Sequence, residues 1–387
     1  LLLGVSILIL SQQGWSQKKE LTDKRTYFSK TYLNPDESYT TEISLGFMHY
    51  IDNFGEYKEI NRNFQPSTVE SYAYEITAGH YHAYIKPDLS QPEAVVFETK
   101  GGAGVTSSLI AMAYMDNDKK TYEIIQNIQT APAFINGSEV VYKSAFPGVD
   151  VIYRYEDTCL KEEIYFSQDA RNSLPPPTDF GMKEKKAYLM FVTQLNSTMP
   201  TVAPYAESRT IKNTDYEGIG PIDFKDLKGN SKFTFPVDKA FLENKRDSLE
   251  MKYIATIKKR IVNLENGTTL LLTGVPFEWL KSIPQGTIIF DPQIEVSITM
   301  QPGQEMGKDA LLHARDDNPD TEHTNYGTGT TLYIGKWYSG ADDKYYRSIL
   351  EFDFSMIPAN ATIDEAYLHF YNPGSNHLST IPATYLQ

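Results

Sequence analysis

Cysteine is almost absent: Cys159 is the single one in 387 residues. An intrachain disulfide, a Cys-based zinc site and a Cys-x-x-Cys redox motif are therefore all excluded. Positive charge is also scarce. Lys and Arg number 36 against 50 Asp and Glu, a net charge of −14 that repels phosphate backbones and anionic lipid, so nucleic acid is not an expected partner. The one long apolar run, Leu1 to Leu10, is about half of the ~20 residues a spanning helix requires, and no transmembrane span is expected in the mature chain. Gly-x-Ser-x-Gly and His-Glu-x-x-His are missing, as is any repeat of fixed 20–50-residue period.

Aromatic residues, by contrast, are plentiful: Tyr 27, Phe 19 and Trp 3, a balance that favours strands. Period-2 alternation dominates, and an all-β fold of antiparallel β-sandwich domains is expected. Leu45, Phe47, His49 and Ile51 alternate up to Asp52-Asn53-Phe54-Gly55, and Tyr57 to Ile60 reads as the return strand of a hairpin. Leu249, Met251, Tyr253, Ala255 and Ile257 suggest one strand face. Asn266-Gly267 between Ile261–Leu264 and Leu270–Leu272 signals a second hairpin.

The punctuation divides the chain. The apolar start followed by Gly14 and Ser16 reads as the remnant of a secretory signal over 1–16. A chain that starts at Leu1 and stops at Gln387 in strand-like sequence is expected to be a piece of a longer exported polypeptide, bacterial on its cysteine usage. Ser173-Leu174-Pro175-Pro176-Pro177-Thr178 reads as a stiff linker. It would separate a β domain over 18–174 from a second over 178–288. A third, over 291–387, would start after Asp291-Pro292, with Ile294, Val296, Ile298 and Met300 alternating as its first strand.

Toward the C-terminus the ordered pieces Asn325-Tyr326-Gly327, Leu332-Tyr333-Ile334-Gly335, Tyr346-Arg347-Ser348-Ile349-Leu350-Glu351-Phe352-Asp353-Phe354 and Ile357 to Leu368 resemble the DNRLRE domain. The resemblance covers roughly 291–387 and stops before the family's later strands. It implies a truncated jelly-roll sandwich of the carbohydrate-binding-module type, found in large secreted bacterial proteins and beside polysaccharide-degrading enzymes. Upstream, Phe146-Pro147-Gly148-Val149-Asp150-Val151-Ile152-Tyr153 and Leu160-Lys161-Glu162-Glu163-Ile164 are similar to a segment of large Rhs-like cell-surface proteins.

Aromatic rings on an exposed sheet face can stack on sugar rings while polar neighbours read the hydroxyls. The candidates are Trp337, Tyr338, Tyr345, Tyr346, Tyr367, His369 and Tyr371; filling ordinary β positions is the plainer alternative. Asp316, Asn318, Asp320 and Glu322 alternate as oxygen ligands for calcium do, although Thr321 and Gly327 exclude an EF-hand. Calcium is thus the candidate cofactor, against a solvated acidic loop. His80 and His82 are expected as ordinary exposed histidines, and Cys159 as a thiol raised in pKa by its acidic neighbours. Adjacent acids such as Glu162 and Glu163 would point to opposite faces of a strand and read as solvated charge.

These readings lead to a non-enzymatic exported protein, secreted or at the cell surface. Its C-terminal module would bind a polysaccharide or cell-surface glycan, or serve as an adhesive or structural spacer. The alternative is a polysaccharide-degrading enzyme, hydrolase or lyase, with its catalytic part in 18–290 or elsewhere. A hydrolase would need two carboxylates, distant in sequence, to converge across a cleft.

Overall fold

A computed structural model describes residues 18–297, apart from 45, 208, 212–214, 247, 249 and 251, together with 307–315, 333, 335–339 and 342–352. The chain forms two compact units, Leu1–Gln301 and Pro302–Gln387. Every strand pairing among the described residues is antiparallel, as the alternating sequence predicts. Among the described residues no helix is long and apolar enough to cross a membrane.

The first unit is built on two large sheets. In one, the strands run in the order Tyr216–Gly218, Lys258–Asn263, Thr269–Pro276, Ala187–Ser197, Gly104–Asp116, Val95–Thr99, Tyr81–Ile85, Tyr74–Ile76, Gln65–Pro66. The other runs Ala133–Asn136, Glu139–Phe146, Val149–Tyr155, Cys159–Phe166, Gln293–Val296, Ser231–Phe235, Ile222–Lys225, Ala203–Ala206, Arg209–Thr210. Ile288–Asp291 extends it by pairing with both Cys159–Phe166 and Lys239–Leu242.

Alternation explains why these two sheets face each other. In Tyr81–Ile85 the inward residues Tyr81, Ala83 and Ile85 are fully buried, while His82 and Tyr84 between them are half-buried. Val149, Val151, Tyr153 and Tyr155 do the same in the opposite sheet. Aromatic rings then lock the layers: Tyr81 stacks on Tyr155 with centroids 4.7 Å apart, Phe97 meets Phe233 at 5.7 Å, and Phe191 meets Phe290 edge-on at 5.0 Å. Each such buried side chain contributes roughly 1.5–3 kcal/mol. Ala187–Ser197 is apolar on both faces, because Leu189 and Phe191 join this core while Met190 and Val192 join a second apolar cluster with Leu270 and Leu272. Gly274 sits opposite Met190, where an added Cβ would fall 1.9 Å from the Leu189 carbonyl oxygen.

Both sequence-predicted hairpins form. His49–Ile51 pairs with Tyr57–Glu59, and Asn263 pairs with Thr269 across the Asn266-Gly267 turn, in which Gly267 takes a left-handed φ of 84°. The face expected to begin at Leu249 is shorter, since only Ile254–Thr256 is a strand there, and 249 and 251 lie outside the described residues.

The Ser173–Thr178 tract lies inside the first unit, and strands from before and after it are neighbours in both sheets. It is held rather than free: the Tyr114 hydroxyl donates to the Pro175 carbonyl at 2.7 Å, and Pro177 is buried. Gln293–Val296, within the third domain expected from 291, instead lies in the second large sheet, and the division between compact units follows Gln301. The Tyr142 to Phe166 segment supplies three adjoining strands of that sheet.

Ahead of the large sheets lie a three-stranded sheet, Lys19–Glu20, Ser29–Leu33 and Tyr39–Ile43, and the hairpin His49–Ile51/Tyr57–Glu59. In the second unit Asp342–Phe352 pairs with Gly307–Arg315 on one side and with Gly335–Ser339 on the other.

Candidate functional site

Two groupings of polar side chains among the described residues bear on the expected sites: one between the large sheets of the first unit, and one on the three-stranded sheet of the second. Between the sheets, a cavity of about 50 Å³ is lined by Tyr153, Glu162, Asp238, Lys259, Thr193 and Thr273 among apolar neighbours. Glu162 occupies the inward position between Leu160 and Ile164, cross-strand from Tyr153, whose hydroxyl donates to it. Burial raises the pKa of both groups. Lys259, from the opposite sheet, pairs with Asp238 and donates to the Pro236 carbonyl.

Two carboxylates distant in sequence, Glu162 and Asp238, thus line one cavity, the arrangement that a glycosidase would need. The space, however, holds only a few waters, at about 10–15 Å³ of such volume each, far below the roughly 300–1,000 Å³ of small-molecule sites. Its chemistry is that of paired buried charge. A larger cavity of about 210 Å³, lined by Arg171, Leu174, Pro176, Glu184, Phe277 and Lys281, lies beside the Pro tract. It falls short of the roughly 300–1,000 Å³ usual for small-molecule sites.

Glu163 points the other way from Glu162, as expected of strand neighbours. It is not solvated: its side chain is 0% exposed, held by Arg154 at 3.0 Å and by Arg246. The correction has a simple cause, since two guanidinium groups supplied from elsewhere in the fold replace water around the carboxylate. Arg246 also approaches Asp291.

The histidines are likewise less exposed than expected. His80 is buried, with its ring 4.5 Å from Phe47 and 5.6 Å from Tyr27, and burial holds its pKa down at about 4. His82 is half-buried, its Nε2 lies 2.9 Å from the Lys100 Nζ, and burial followed by the Lys100 charge lowers it to about 4. Cys159 is buried and its thiol is raised, as expected, but burial is the larger cause and Glu156 the second.

On the second unit's sheet, successive residues of Asp342–Phe352 face opposite ways. Tyr346 stacks on its cross-strand neighbour His313 with centroids 4.5 Å apart and planes at 7°, and lies 5.5 Å from Tyr333. Tyr345, on the other face, is 39% exposed, and that face also carries exposed Leu312 and Ile349. Lys336 stands over its ring at 4.8 Å and pairs with Asp343, and the Tyr345 hydroxyl donates to that same carboxylate. The two tyrosines expected to act together are therefore separated by the sheet. The backbones of Trp337 and Tyr338 pair with Lys344 and Asp343. Tyr367, His369 and Tyr371, the calcium candidates Asp316, Asn318, Asp320 and Glu322, and the 1–16 segment read as a signal remnant lie outside the described residues.

Sequence reasoning passed over Asp238 and Lys259 altogether. It also passed over the inward placement of Glu162, which the alternation Leu160, Glu162, Ile164, Phe166 signals. Comparison of the chain with protein-family models and with curated proteins finds no match.

Proposed function

We propose that this chain is part of a non-enzymatic exported protein, secreted or at the cell surface, whose C-terminal region engages polysaccharide. The carrying observation is the face that presents Tyr345 with Lys336 and Asp343. An exposed ring offers an apolar platform for a sugar, and an ammonium and a carboxylate beside it supply a donor and an acceptor for hydroxyls. The resemblance of 291–387 to DNRLRE domains supports the same reading, and so do the apolar start of the chain and its lack of disulfide chemistry. Calcium held by the Asp316–Glu322 segment belongs to this proposal as a structural ion.

The test is binding of the full chain to a polysaccharide panel, with calcium and with EDTA. Saturable binding that Tyr345→Ala removes supports glycan recognition, and sensitivity to EDTA adds the ion. Failure to bind any member under either condition leaves the adhesive or structural spacer and rejects glycan binding.

A further inference from the structure

Near the start of the chain, three side chains from separate strands converge. Glu20 ends the strand Lys19–Glu20, while His49 and Glu59 are cross-strand partners in the neighbouring hairpin. One carboxylate oxygen from each acid and one ring nitrogen of His49 lie within 4.8 Å of one another. His49 is 0% exposed. Its Nδ1 lies 2.6 Å from the Thr26 carbonyl oxygen, which makes that nitrogen the protonated one, and its Nε2 has no hydrogen-bond partner. A buried imidazole lone pair without a partner is costly unless something accepts it.

We propose that Glu20, His49 and Glu59 bind a divalent transition-metal ion of the zinc class. One imidazole with two carboxylates is a borderline donor set suited to zinc, and the hydrogen bond from Nδ1 to a backbone carbonyl is the outer contact that orients a ligating histidine. Arg25 and Lys30 pair with the two acids. Their contacts fall on Oε1 of each carboxylate: Arg25 Nε at 2.7 Å from Glu20, Lys30 Nζ at 2.6 Å and Arg25 at 3.3 Å from Glu59. None of these contacts falls on the second oxygen of either acid, and the side chain of Glu59, 57% accessible, gives a way in. The two nearby cations offset the acids' charge and hold the affinity below that of an all-anionic site.

Such an ion has a structural task. No residue of Lys19–Glu20, Ser29–Leu33 or Tyr39–Ile43 is buried, so this sheet has little core of its own. A metal bridging Glu20 to the His49/Glu59 hairpin would fasten it, as metals do in small modules.

The experiment is calorimetric titration of the full chain with zinc sulfate alone. One zinc per chain is expected, with binding lost or weakened by at least the roughly 10–100-fold that even an outer-contact change costs, in both His49→Gln and Glu59→Gln. His82→Ala should bind as wild type. Glu59→Gln, at a half-exposed position, is the safeguard against misfolding and is checked by circular dichroism. No zinc binding by the wild-type chain, or unchanged affinity in Glu59→Gln, overturns the proposal.

Discussion

Lys259 Nζ lies 2.9 Å from Asp238 Oδ2 while each side chain is only 1% exposed, so above about pH 7, where Asp238 is ionised, the sandwich encloses an ion pair. Two buried charges are costly to desolvate, and their mutual attraction compensates only while both are present. Lys259→Met should therefore destabilise the fold by about 3–5 kcal/mol. The double change Lys259→Met with Asp238→Leu should recover most of that, because a well-packed apolar pair of similar volume is often neutral. Urea unfolding of the three proteins, with m-values compared to confirm two-state behaviour, measures both.

Asp238 also leaves a signature in the pH dependence of stability. Burial raises its carboxyl from 3.8 to about 7 against the pull of Lys259. Between these values the folded chain holds a proton that the unfolded chain has released, so this group's contribution to stability falls as pH rises from about 4 to 7. Stability of the wild type relative to Asp238→Asn should decline across that window and level off above it. A relative stability that stays flat across that window would show that Asp238 is ionised throughout.

His80 acts with the opposite sign. Burial among Tyr27 and Phe47 lowers its pKa from 6.5 to about 4. As pH falls from 6.5 to 4 the unfolded chain takes up a proton that the folded chain refuses, and stability is lost. His80→Phe keeps a ring in the aromatic pocket and removes the titration. Its loss of stability across that interval should be shallower than the wild type's, which thermal unfolding at several pH values will show.

The all-β class and two hairpins were legible because alternation and Asn266-Gly267 are local signals. The pairing of Gly104–Asp116 with Ala187–Ser197 was not, since it spans the Pro tract and leaves no mark within either strand. Pro-rich sequence reads as a linker only if nothing holds it, and the Tyr114 hydroxyl does. Charged residues misled in the same way. Glu163 looks solvated until Arg154 and Arg246 arrive from other elements, and Asp238 finds Lys259 only when the sheets close. Glu20, His49 and Glu59 match no short ligand spacing because three strands bring them together.

Tyr345 and Tyr346 should separate recognition from folding. They are sequence neighbours on opposite faces of one strand, and their surroundings differ in kind. Tyr346 is covered by the His313 ring at 4.5 Å, so Tyr346→Ala removes an aromatic stack worth about 0.5–1.5 kcal/mol beyond its buried area. Tyr345 retains 39% of its surface and touches Lys336 and Asp343, contacts that water screens. Tyr345→Ala should therefore leave the unfolding midpoint within about 0.5 kcal/mol of wild type, as for other surface changes. If the glycan proposal holds, the same change abolishes polysaccharide binding, whereas Tyr346→Ala lowers stability and binds when folded. Loss of binding in Tyr346→Ala alone, with its fold intact by circular dichroism, would place recognition on the opposite face of the sheet.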